Sequence, residues 1–167
     1  MTRARALAFA VTVATVVVID QVTKAIVRAS LTLNDSIPVI DGVFWLTRVR
    51  NTGAAFGMFR GQQWLLISVA FVVLGVIAWT LARVRPESWL VRWGLALVTG
   101  GTIGNLIDRV FLGGVTDFFN LGWWPVFNVA DISLDIGVVL IVVWLLFSRD
   151  HREAPASGDT SGEASAL

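Results

Sequence analysis

Four apolar stretches, each about long enough to cross a bilayer, constrain this chain more than any other feature. A helix needs about 20 mostly apolar residues to span the hydrocarbon core at about 1.5 Å per residue. The stretches lie near residues 6–26, 64–81, 90–110 and 130–147. All four are expected to be helices, because lipid offers a backbone amide no partner outside its own segment. Composition agrees: 56% of the residues are hydrophobic and 15% charged, against roughly 45–50% and about 25% in soluble domains. So few charges would leave a water-facing surface uncovered. The net charge of +1, spread along the chain, includes no basic block of the kind that binds nucleic acid, and none is expected as a partner.

Arg3 and Arg5 ahead of the first stretch resemble the start of a cleaved signal peptide. No small-x-small cleavage site follows, and the stretch carries the charged pair Asp20 and Lys24, so a retained anchor is expected. Four spans put both termini on one side, with Arg3, Arg5, Arg83, Arg85, Arg92, Arg149 and Arg152. Arg28, Arg48, Arg50, Arg60 and Arg109 fall on the other. The first set is concentrated in short segments at span ends, where the positive-inside rule operates, so both termini are expected to be cytoplasmic. One domain is expected over 1–150, with a disordered cytoplasmic tail over 151–167, a segment too polar to bury a core.

The outer connections, 27–63 and 111–129, are the longer ones, and function is expected there. In the first, Val39, Ile40, Val43, Trp45, Thr47 and Val49 around the turn signal Asp41-Gly42 predict two short strands. They would form an outer platform over about 34–60. Phe44, Trp45, Phe56, Trp123 and Trp124 suit the headgroup level that aromatic rings favour.

There is no cysteine, and the only histidine, His151, lies in the polar tail. That removes disulfides, thiolate chemistry, HExxH zinc sites and the serine–histidine triad. Acid–base work falls to carboxylates, Lys24 or a Ser–Lys pair. With the first and third spans running outward and the fourth inward, Asp20, Lys24, Asn105, Asp108, Arg109, Asp131 and Asp135 gather at one depth. Asn51, Asp117 and Asn128 lie in the adjoining outer connections. Ionisable groups inside spans usually face the protein interior and serve function. Gly101, Asn105 and Arg109 share a helix face flanked by Asp108, and Gly100 and Gly104 form a GxxxG pair that lets another helix approach. Asp20 and Lys24, spaced i and i+4, read as a structural salt bridge. A small transporter or proton channel and a non-catalytic scaffold are the alternatives to an enzyme. The second span holds no charged residue, which leaves a transported ion no polar path.

Taken in order, these pieces resemble the lipoprotein signal peptidases (signal peptidase II). Asp20-Gln21-Val22-Thr23-Lys24 is similar to their DQxTK stretch, and the segment from Asn51 to Gly57 to their NxGAAFG. The segment from Gly101 to Arg109 resembles GGxxGNxxDR, Val115-Thr116-Asp117-Phe118 resembles VxDF, and Phe127 to Asp131 resembles FNxAD. The chain departs from the pattern in a shorter stretch between Asp117 and Asp131, and in Asp135, where an apolar or small residue is expected. The resemblance implies an all-α membrane protein: a four-transmembrane-helix bundle with a small extracytoplasmic β-sheet and a short lid helix. It implies a monomeric aspartic endopeptidase of the bacterial inner membrane. Its substrates would be diacylglyceryl-modified prolipoproteins, cleaved before the lipidated cysteine among membrane lipids, with no metal or cofactor. Asp117 and Asp131 would be the catalytic pair. Asn51, Asn105, Arg109 and Asn128 would support that pair or hold the substrate backbone, and Asp20, Lys24 and Asp108 would be structural or peripheral.

Overall fold

The computed structural model describes residues 2–53, 58–59 and 61–149. Each apolar stretch is a helix: α1 (Arg3–Ser30), α2 (Gln63–Arg83), α3 (Trp89–Leu112) and α4 (Val129–Arg149). All four are long and apolar enough to cross a membrane. α1 outruns the stretch 6–26 because its charged residues do not end it. Lys24 is buried against partners on other elements, and the helix closes only where the Leu31 amide donates to the Val27 carbonyl at 3.0 Å. α2 exposes Trp64, Phe71, Val72, Val76 and Trp79, as a helix bathed in lipid should.

α3 is the central helix, and its glycines set how closely its neighbours pack. Gly100 and Gly104 face α1: a Cβ on them would lie 2.7 Å from Val16 Cβ and 2.5 Å from Asp20 Oδ2. Gly94 and Gly101 face α4, where a Cβ would lie 2.7 Å from the Gly137 carbonyl and 2.4 Å from that of Ala130. The expected GxxxG pair therefore seats α1, and a second glycine stripe seats α4. α2 closes the remaining side, with Ile77 packed against Val91, Leu95 and Val98.

The sequence pattern predicts two strands; the described residues form three, β1 (Ser36–Ile40), β2 (Phe44–Asn51) and β3 (Val115–Asn120). They form one antiparallel sheet in that order. Ile40 stands opposite Phe44, with Gly42 at φ 74° in the turn, as the Asp41-Gly42 signal predicts. β3 is the addition. Gly113, at φ 66°, ends α3 in the left-handed region and turns the chain back along β2, so that Val49 faces Asp117. Asp117 therefore sits in a strand rather than a loop.

Phe118 and Arg48 help fix the sheet to the bundle. Phe118 packs with Val27 and Leu31. Arg48 Nη1 donates to the Leu31 carbonyl at 2.7 Å and the Arg28 carbonyl at 3.2 Å, satisfying acceptors that the end of α1 leaves open. Phe119 is ringed by Phe44, Phe118 and Phe127, with centroids 6.0, 4.5 and 5.5 Å away. No short lid helix is present among the described residues; Phe56 and the tail 151–167 lie outside them.

Candidate active site

Alternation along β3 splits its side chains between two faces. Thr116 and Phe118 turn to α1, where Thr116 Oγ1 accepts from Arg28 Nη1 at 3.1 Å. Val115 and Asp117 turn the other way, into a cavity of about 440 Å3 that Asn51, Asn105, Arg109 and Asp131 also line.

The start of α4 delivers the second carboxylate. Asn128 caps the helix: its Oδ1 accepts from the Asp131 amide at 3.1 Å, and Asp131 Oδ2 accepts from the Asn128 amide at 3.1 Å. This reciprocal box locks the first turn and the Asp131 rotamer together. Asn128 Nδ2 then reaches across to Asp117 Oδ1 at 2.6 Å, so one asparagine touches both acids. Asn51 Nδ2 holds the other Asp117 oxygen at 3.0 Å, and Asn105 Nδ2 holds Asp131 Oδ1 at 2.8 Å. Every asparagine donor named here is spent on a carboxylate. The three asparagine side chains thus hold the two carboxylates, and Asn128 Nδ2 also donates to Asn105 Oδ1 at 3.2 Å.

Asp117 is almost wholly buried. Its carboxyl is pushed up from the usual 3.8 to about 7, first by burial and then by the neighbouring charge of Asp131. The bonds from Asn51 and Asn128 and the charge of Lys24 oppose the rise. Arg109 lies on the cavity wall, donates from Nη2 to the Gly53 carbonyl at 3.3 Å, and has a buried Nε without a partner among the described residues.

Behind the cavity lies a second, closed layer. Asp20, Lys24 and Asp108 are fully buried. Lys24 Nζ lies 2.8 Å from Asp20 Oδ2 and 3.6 Å from Asp108 Oδ2, and donates to Asn105 Oδ1 at 2.9 Å. Asp20 Oδ1 accepts from the Ala130 amide at 3.0 Å, and Asp108 Oδ2 from the Thr116 amide at 2.8 Å. The cluster thus ties α1, α3, β3 and the start of α4 together directly behind the two cavity carboxylates. Sequence reasoning missed Gln21, whose Nε2 meets Asp20, the Gly104 carbonyl and Asp108 at 3.0–3.2 Å. Its signal was its place between Asp20 and Lys24, at positions that turn toward α3. Trp123 and Trp124, expected at the membrane surface, also line the cavity, as does Asp135.

Four membrane-length helices under a small sheet, with a buried and a half-buried carboxylate facing a shared cavity, define a polytopic membrane protein of enzyme type. Comparison makes this specific: the family model described as "Signal peptidase (SPase) II" matches residues 12–147. The chain belongs to this family of lipoprotein signal peptidases, which are bacterial multi-pass membrane hydrolases. It is 44% identical over 145 residues to "Lipoprotein signal peptidase" of Geobacter sulfurreducens, covering 83% of this chain and 90% of that one. The protein of the same name from Geobacillus kaustophilus is 44% identical over 138 residues, covering 80% and 90%. Among solved structures, "Bacterial membrane enzyme structure by the in meso method at 2.3 A resolution" superposes with TM-score 0.84 at 30% identity, covering 90% of this chain and 94% of that one. A second, determined at 1.9 Å, gives TM-score 0.77 at 33% identity, covering 83% and 92%. The transporter and scaffold readings have no support beside this family membership.

Proposed function

We propose that this chain is an aspartic endopeptidase in which Asp117 and Asp131 share one proton and activate one water. The observation that carries the reading is Asn128, bonded to both acids at the wall of a single cavity. Two close carboxylates do not both ionise easily, which leaves one acid and one base at working pH. The ionised carboxylate takes a proton from water as the oxygen attacks the scissile carbonyl carbon, and the neutral one passes its proton to the carbonyl oxygen. In the second half the C–N bond breaks. The amine nitrogen takes the proton held by the first carboxyl, while one hydroxyl of the gem-diol returns a proton to the other. The pair is thereby restored, and a carboxyl and an amine leave.

The asparagines position the carboxylates. Arg109 offers a cation on the cavity wall for a substrate carbonyl. The substrate is a prolipoprotein segment whose next residue is a diacylglyceryl cysteine. The cavity opens between the first turns of α4 and the sheet, with Trp123 exposed beside it, so acyl chains can remain in lipid while the peptide enters. Each buried acyl CH2 adds roughly 0.8 kcal/mol to membrane retention, which favours lipidated over unlipidated peptide. The chain works as a monomer with both termini cytoplasmic and the sheet on the outer face. The test is incubation of detergent-purified protein with a diacylglyceryl peptide bearing a lipobox and with its unlipidated twin. Cleavage of the first before cysteine, with little of the second, is expected; equal cleavage of both would overturn the substrate assignment.

A further inference from the structure

Asp135 is a carboxylate that the chemistry above does not use. It lies in the second turn of α4, four residues after Asp131, and both side chains line the cavity. Among the described residues its carboxylate meets no hydrogen-bond donor and no cation. Arg109, the cation on the cavity wall, bonds Gly53 instead. Its neighbours along the wall, Ile132 and Leu134, are apolar. An unpaired acid in a membrane-spanning helix is costly, and such residues face a cavity and find a partner there.

Geometry indicates where that partner comes from. Four helical residues advance about 6 Å along α4, away from the sheet and into the membrane. An extended peptide advances about 3.3 Å per residue. A substrate whose scissile carbonyl sits at Asp131 and whose apolar signal segment continues into the bilayer therefore brings its second and third residues before the cleaved bond beside Asp135. We infer that Asp135 is a specificity-determining residue that accepts a hydrogen bond from a hydroxyl- or amino-bearing side chain at one of these two positions. This rests on the proposed reading of Asp117 and Asp131.

The experiment compares lipidated peptides that differ only by Thr or Val, a nearly isosteric pair, at the second and then the third residue before the modified cysteine. The wild-type protein should show a kcat/KM ratio, Thr over Val, of about tenfold at one position, the low end for a hydrogen bond to a charged group. Asp135→Leu should bring that ratio to about one, and Asp135→Asn, which keeps one acceptor oxygen, should leave an intermediate value. Each ratio is taken within one preparation, so loss of folded protein cancels. A wild-type ratio near one at both positions, or a ratio unchanged in Asp135→Leu, overturns the inference alone. A wild-type protein that cleaves neither peptide overturns the proposed function and the inference with it.

Discussion

Replacing Lys24 by Met removes a charge from the most enclosed polar layer of the bundle while nearly keeping the side chain's volume. Lys24 and its partners Asp20 and Asp108 are wholly buried, and Nζ lies 2.8 Å and 3.6 Å from their carboxylates. Breaking a buried pair by removing one partner costs roughly 3–5 kcal/mol, because the other charge stays behind. Here the orphaned acids keep other donors. Asp20 retains Gln21 and the Ala130 amide, while Asp108 retains Gln21, the Thr116 amide and Arg28 at 3.7 Å. The expected loss is therefore at the lower end, about 3 kcal/mol. At about 2–4 °C per kcal/mol for a chain of this size, Tm should fall by roughly 6–12 °C. Intrinsic tryptophan fluorescence during heating in detergent reads this directly. Adding Asp20→Asn to Lys24→Met should recover part of the loss, since one stranded charge is removed. A Lys24→Met variant melting within about 2 °C of wild type, or one made worse by Asp20→Asn, would refute a charge-balanced core holding the site from behind.

Gly101→Ala puts a methyl 2.4 Å from the Ala130 carbonyl, so α4 must shift; thermal melts should show a loss of about 1–3 kcal/mol, with cleavage impaired. Gly75→Ala meets nothing within 4 Å and should gain up to about 1 kcal/mol from helix propensity in the same melts. Asn128→Ala removes the cap of α4 and the link between the acids, costing about 1–2 kcal/mol of stability and lowering kcat on the order of a hundredfold, read by melts and single-turnover cleavage. Because Asp117 is raised to about 7, the folded state keeps a proton there that the unfolded chain has lost. Stability should thus be fullest below about 4 and fall as pH rises towards about 7, a dependence that Asp117→Asn should flatten in pH-resolved melts. Cleavage needs that shared proton and should decline above about 7.

Much of this architecture was legible because the bilayer restricts what a chain can do. Four mostly apolar stretches become four helices, and acids within a span tend to turn inward, which makes the shared level of Asp20, Asp108 and Asp131 readable from their positions. The third strand was not legible. Val115 to Asn120 is short and pairs with β2, more than sixty residues earlier in the chain (Asn51 opposite Val115), and local patterning carries no record of so distant a partner. Asn128 was legible as a polar residue beside Asp131 but not as a cap, although Asn followed by an acid three residues later carries that signal. Lys24 looked like a simple partner for Asp20; only the packing of α3 through Gly104 reveals that it also reaches Asn105, which lines the cavity and bonds Asp131.

The most direct measurement is cleavage of a diacylglyceryl lipobox peptide by purified Asp117→Asn and Asp131→Asn proteins, each shown by thermal melting to be folded. Asparagine preserves size and keeps an oxygen acceptor, so what is lost is the shared proton and the negative charge. No product from either variant, beside turnover by wild type, is the predicted result. Turnover at the wild-type rate by either folded variant would contradict the account.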